Sequence, residues 1–154
     1  MAVAASTESQ AKLDAAVRLR MAVGRLSRRL RSTRAGAALT STETSVLAAV
    51  VRHGPIGLGA LAAEEDLNPT MLSRVVRSLE RSGLMERRAD PGDRRAAVVE
   101  ATDDGRRLHD LIRQERAEVL TAYLDRLAPK ELQSLVEALP VLERLAGDLL
   151  GRRP

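Results

Sequence analysis

Five polar side chains between Asn68 and Gly83 are spaced so that they can act together on one ligand: Thr70, Ser73, Arg74, Arg77 and Arg81. Steps of three and four residues put them on one face of a helix. The face carries two hydroxyls near its start, three guanidinium groups further on, and no carboxylate. A hydroxyl donates or accepts a single hydrogen bond. A guanidinium presents a planar fork that fits two phosphate oxygens or the two acceptors of guanine. A second basic set follows at Asp90-Pro91-Gly92-Asp93-Arg94-Arg95. Pro91 presets one turn dihedral and Gly92 accepts a positive one, so a turn tip would display Arg94 and Arg95. Two plainer readings stand beside these: a solvated helix face, and a local ion pair between Asp93 and Arg95.

Catalytic chemistry finds few candidates. The chain has no cysteine, which excludes disulfides and thiol nucleophiles. His53 and His109 have no evident triad partners and are too few for a usual zinc site. There is no Gly-rich phosphate loop. No metal, cofactor or catalytic residue is expected.

The elements that must position the basic face can be read from periodicity and caps. Leu13, Val17, Met21, Leu26 and Leu30 recur at helical spacing between about Glu8 and Arg34, after a small-residue tail over 1–7. Thr40 and Glu43 form an S/T-x-x-E capping box ahead of Val46, Leu47, Val50 and Val51; Gly54-Pro55 ends that second helix. A short third helix fits Gly57 to Glu65, with Leu58, Leu61 and Ala62 inward. The basic face belongs to a fourth helix, 68–82. Asn68 suits its N-cap, Pro69 its first turn and Gly83 its C-terminal left-handed position. Leu72, Val75, Val76 and Leu79 form its opposite, apolar face. A hairpin over 84–101 follows, with Leu84–Ala89 as its first strand. In its second strand, Ala97, Val99 and Ala101 alternate with Ala96, Val98 and Glu100.

Thr102 caps a long fifth helix whose apolar positions run from Leu108 through Leu111, Ile112, Val119, Leu120, Tyr123 and Leu124 to Leu127. Pro129 opens a sixth, with Leu132, Leu135, Val136, Leu139, Leu142, Leu145 and Leu149 as its stripe. Pro140 inside it should bend it.

Composition agrees with packed helices. Aromatic residues make up 1% of the 154, so the core must be Leu, Val, Ala and Met. Net charge is +4, unevenly spread. Residues 1–35 hold eight basic and two acidic side chains; residues 68–95 hold seven Arg and four acids. Two basic blocks suit a polyanionic partner. No apolar run approaches the ~20 residues of a membrane span, and no signal peptide is evident. A cytoplasmic location is the expectation.

The stretch LAAEEDLNPTMLSRVVRSLERSGLMERRADPGDRRAAVVEAT (61–102), followed by DDGRRL, resembles the MarR (multiple antibiotic resistance regulator) family. The carrying features are the Gly-Leu-x-x-Arg step into the hairpin, the Asp-x-x-Asp-Arg-Arg tip, the T-x-x-G opening of the fifth helix and the T-x-x-E start of the second. The resemblance implies a mainly α protein with a small β-hairpin wing (α+β). This is a winged helix-turn-helix with long N- and C-terminal dimerisation helices. It also implies one MarR-like domain over 1–154, with 40–102 binding DNA and 8–38 and 103–150 forming a homodimer.

In such proteins the fourth helix enters the major groove and the wing reaches the minor groove. By that resemblance Pro69, Thr70, Ser73, Arg74, Arg77, Arg88, Asp93, Arg94 and Arg95 are candidate DNA-binding residues. Leu13, Val17, Leu120, Tyr123, Leu124, Leu142, Leu145 and Leu149 are candidate dimer contacts. The implied partners are double-stranded DNA at an inverted repeat, a second copy of the chain and a small-molecule effector of unknown identity. The implied role is a transcription regulator acting as a repressor. A protein-docking module is the competing reading, and the all-basic outer face argues against it unless the partner is acidic. The cluster Arg25, Arg28, Arg29, Arg31 and Arg34 has three readings: phosphate contact, flank of the dimer seam, or solvated surface.

Overall fold

The computed structural model describes residues 2–31, 34–89 and 97–151. The first helix, α1, runs from Ala2 to Arg31. It takes in the stretch expected as a tail, because its Ala-rich start is a strong helix former with no proline to stop it. It ends before Arg34, which instead precedes a short 3-10 turn, Ala35–Ala38. The Ala35 amide donates to Glu115 Oε2 at 2.9 Å.

The second helix, α2 (Ser41–His53), begins as its capping box predicts. The Thr40 hydroxyl accepts from the Glu43 amide at 3.2 Å, and Glu43 Oε2 accepts from the Thr40 amide at 2.8 Å. Gly54, at φ +74°, takes the chain out of the helix. Next comes a strand that the sequence does not signal, β1 (Ile56–Gly57). Two residues are too few for any periodic pattern. α3 (Leu58–Glu64) follows, with Leu61 and Ala62 buried. α4 spans Pro69–Arg81.

The wing strands are β2 (Met85–Ala89) and β3 (Ala97–Ala101). They form a three-stranded antiparallel sheet in the order β1-β3-β2, not a lone hairpin. Ile56 pairs with Val99, and Met85 with Ala101. The strict alternation expected of β3 does not hold. As the central strand it buries both Val98 and Val99, at 7% and 0% exposure.

Two units divide the chain, residues 1–116 and 117–154. In the first, α2, α3, α4 and the sheet share one aliphatic core. Leu47, Leu61, Leu72, Leu79, Val46, Val50, Val76 and Val99 are its largest fully buried side chains. α5 (Asp103–Leu124) starts in this unit, where Leu108 packs against the core. The second unit holds the rest of α5 and α6 (Pro129–Gly151). α5 stops at Leu124, so Leu127 lies in the connecting turn and not in the helix as expected. Pro129 disfavours helical backbone in the residue before it. α6 continues through Pro140, which has no amide hydrogen to offer the preceding turn. Among the described residues no helix is long and apolar enough to cross a membrane.

Candidate nucleic-acid interface

α4 is held on three sides and free on the fourth. The Asn68 side chain accepts from the Met71 amide at 2.8 Å, which caps the first turn, and Pro69 follows it. Asp66, at φ +54°, turns the chain from α3 into α4 in a left-handed conformation that Asp tolerates better than most residues. Leu72, Val75, Val76 and Leu79 are buried behind the helix. Laterally, the Ser78 hydroxyl donates to the Glu43 carboxylate, which with the Thr40 amide holds that carboxyl below its ordinary range. At the far end Glu80 Oε1 accepts from Arg87 Nε at 2.9 Å, tying α4 to β2.

The free side carries the predicted face. Thr70, Arg74, Arg77 and Arg81 are exposed, and Ser73 is half-buried. Among the described residues none of the three guanidiniums has a carboxylate partner. The only acid of α4, Glu80, is already paired with Arg87. Thr70 and Arg74 share an open depression with Asn68, Met71 and Val75. Met71 is an addition to the expected set; 45% exposed, it is the large apolar side chain on this surface. Spacing alone does not signal it, since Met71 stands four and eight residues before Val75 and Leu79, in step with the buried face. The amides of the first turn that remain uncapped add partial positive charge.

The wing is positioned by its junctions. The Thr102 amide donates to the Leu84 carbonyl at 3.1 Å, and the Thr102 hydroxyl donates to the Gly83 carbonyl at 2.6 Å while accepting from the Gly105 amide. This one residue therefore joins the end of α4, the root of the wing and the first turn of α5. Register places Glu86 directly opposite Glu100. Two carboxylates so placed repel, and Arg88 bridges them, Nη2 at 2.5 Å from Glu86 and Nη1 at 3.1 Å from Glu100. Arg106 adds a second cation to Glu100 at 3.2 Å. The hydrogen bond to Glu86, then the charges of Glu100 and Glu86, hold Arg88 in its protonated form more firmly than usual. Asp93, Arg94 and Arg95 lie outside the described residues.

The candidate dimer contacts are mostly uncovered within the chain. Leu13, Val17, Leu120, Tyr123, Leu145 and Leu149 are exposed, Leu149 at 71%; Leu124 and Leu142 are half-buried. Arg126 stacks over the Tyr123 ring at 5.3 Å. His53 and Arg52 both contact Glu64 Oε1, at 2.9 and 3.2 Å. Among the described residues no three metal-ligating side chains converge. A separate depression in the first unit is lined by Ala48, Val51, Arg52, His109, Asp110 and Arg113.

Residues 39–97 match the sequence model of the MarR family. An HTH-type transcriptional regulator of Mycobacterium bovis is 31% identical over 130 residues, covering 84% of this chain and 91% of its own. The chain belongs to the MarR family. MarR-family proteins are transcriptional regulators with a DNA-binding helix-turn-helix fold, and this chain is a regulator rather than an enzyme. A transcriptional regulator from Pseudomonas aeruginosa of known structure is 35% identical, with a TM-score of 0.76 over 88% of this chain and 95% of that one. The same fold recurs in an S. aureus MepR mutant bound to an oligodeoxyribonucleotide, at 19% identity. Its TM-score is 0.65, over 84% of this chain and 96% of that one.

Proposed function

We propose that this MarR-family chain is a repressor that binds an inverted-repeat operator as a homodimer, with helix 68–82 in the major groove and wing 84–101 in the minor groove. The observation that carries the reading is the sidedness of α4. Its inner face is buried aliphatic surface, while its outer face holds Arg74, Arg77 and Arg81 with no carboxylate partner among the described residues. A helix so anchored can enter a major groove as a rigid unit. Thr70 and Ser73 let its N-terminal end approach base edges, with Pro69 at the first turn. Arg74 and Arg77 have the reach for guanine or phosphate, and Met71 suits a thymine methyl group. The MepR complex with an oligodeoxyribonucleotide supports the assignment by shared fold.

On the wing, resemblance to the family assigns Arg95 to the minor groove, with Asp93 steadying the tip and Arg94 beside it. Arg88 is the weakest of the assigned contacts, since two carboxylates already neutralise it. The domain division follows: 40–102 reads DNA, and 8–38 with 103–150 pairs subunits. Exposed aliphatic side chains on α1, α5 and α6 supply apolar surface for that pairing. For the effector, the depression lined by Arg52, Arg113, His109 and Asp110 offers two guanidinium groups and no Phe, Tyr or Trp side chain, which suits a small anion.

The test is a cleavage-protection footprint on DNA flanking the chain's own gene. Two protected half-sites, related by inversion and about one helical turn apart, are expected. Protein docking by the same face, with no protected DNA at any salt concentration, would replace this reading.

A further inference from the structure

The function proposed for α4 and the wing leaves the basic cluster of α1 unused. Between Asp14 and Glu43 the chain has no acidic residue and seven arginines: Arg18, Arg20, Arg25, Arg28, Arg29, Arg31 and Arg34. At 3.6 residues per turn, Arg18, Arg25, Arg28 and Arg29 fall within about 100° of arc, along roughly 16 Å of helix. All four are exposed, and none pairs with a carboxylate among the described residues.

Within the chain this arrangement is unfavourable. Arg25 lies three and four residues from Arg28 and Arg29, and like charges at those spacings weaken a helix. The helix dipole favours cations in the last turn and so accounts for Arg28, Arg29 and Arg31. It does not account for Arg18 and Arg25, which lie before that turn. The charge is best satisfied by an external row of anions.

The cluster lies in the same unit of the chain as the DNA-reading helix. Thr40 follows closely after Arg34 in the chain, and its capping partner Glu43 accepts from Ser78 in the middle of α4.

We propose that Arg18, Arg25, Arg28 and Arg29 of α1 form a second DNA contact, one that grips backbone phosphates outside the half-site and reads no bases. The inference rests on the DNA-binding reading above. Guanidinium forks suit phosphate, and such contacts strengthen binding to any sequence alike. The grip lengthens the footprint and adds to the salt dependence of binding.

The test measures binding of the full chain to two labelled duplexes across a salt series. One is taken from the footprinted region and the other is a scrambled duplex of equal length. The triple variant Arg18→Gln, Arg25→Gln, Arg29→Gln should lower the log–log salt slope by about 2.7, at about 0.9 per lost phosphate contact. The loss should be the same on both duplexes, so their affinity ratio stays unchanged. The matching lysine variant should keep the slope. Where the triple variant folds poorly, Arg29→Gln alone should lower the slope by about 0.9. A wild-type slope in the glutamine variants overturns the proposal. So does a changed subunit number by light scattering with the slope unaltered, which would assign these arginines to the dimer seam. If the wild-type chain binds neither duplex, the fault lies with the DNA-binding reading itself.

Discussion

Gly105 packs so closely on Leu84 that a Cβ added to it would stand 2.1 Å from the Leu84 carbonyl oxygen. That carbonyl also accepts from the Thr102 amide. The T-x-x-G opening of α5 is thus explained by contact. Thr102 caps the helix and fastens the chain after α4, and Gly105 lets α5 lie against the wing's root. Because backbone opposes the new methyl group, it cannot move aside as a flexible side chain would. Gly105→Ala should therefore cost about 1–3 kcal/mol or more. Urea denaturation should show it, and a midpoint equal to wild type would refute the contact.

Asn68 does two jobs that can be separated. As the N-cap of α4 it accepts from Met71, and it lines the depression shared with Thr70 and Arg74. Asn68→Ala should cost about 1 kcal/mol of stability. Asn68→Asp retains the cap but sets a negative charge toward phosphate. It should keep the urea midpoint and lose duplex affinity; equal duplex affinity in the Asp variant would remove this end of α4 from the interface.

Glu43 couples α2 to α4, and its lowered pKa gives the coupling a pH signature. The Ser78 hydroxyl, then the Thr40 amide, stabilise its ionised form in the fold, pulling the pKa below the ordinary 4.5. A depressed carboxylate stabilises the fold above its unfolded pKa, and that contribution fades as pH falls through the folded value. Comparison with Glu43→Gln isolates the charge. The wild type should be the more stable at about pH 7, modestly because solvent reaches the group. The difference should close as pH falls from 4.5 through the lower folded value, as urea midpoints across that range would show. A difference that persists unchanged into acid would mean the charge is not responsible.

How legible the molecule is from its sequence depends on how local each signal is. α4 is readable nearly to the residue, since Asn68, Pro69, Gly83 and the buried quartet all lie within the helix or at its ends. Thr40 and Glu43 are readable as a capping pair, yet the second role of Glu43 toward Ser78 is not. That contact depends on how two helices pack. The pairing of Arg88 with Glu86 and Glu100 is hidden for the same reason, because it follows from strand register. β1 escapes notice because Ile56 and Gly57 are ordered only by pairing with β3. The start of α1 is easily misplaced because small alanines leave no apolar stripe to count.

If α4 reads DNA as proposed, Arg74 and Arg77 are the side chains that meet the bases. The most direct measurement is the affinity of Arg77→Ala and Arg74→Ala for matched and single-base-substituted operator duplexes at fixed salt, with Arg88→Ala alongside. A base-reading arginine should cost about 1–3 kcal/mol on the matched duplex and much less where its base has been changed. Arg88→Ala, its charge already held by Glu86 and Glu100, should cost less than either. Arg74 and Arg77 variants that bind every duplex as tightly as the wild type would remove α4 from base recognition.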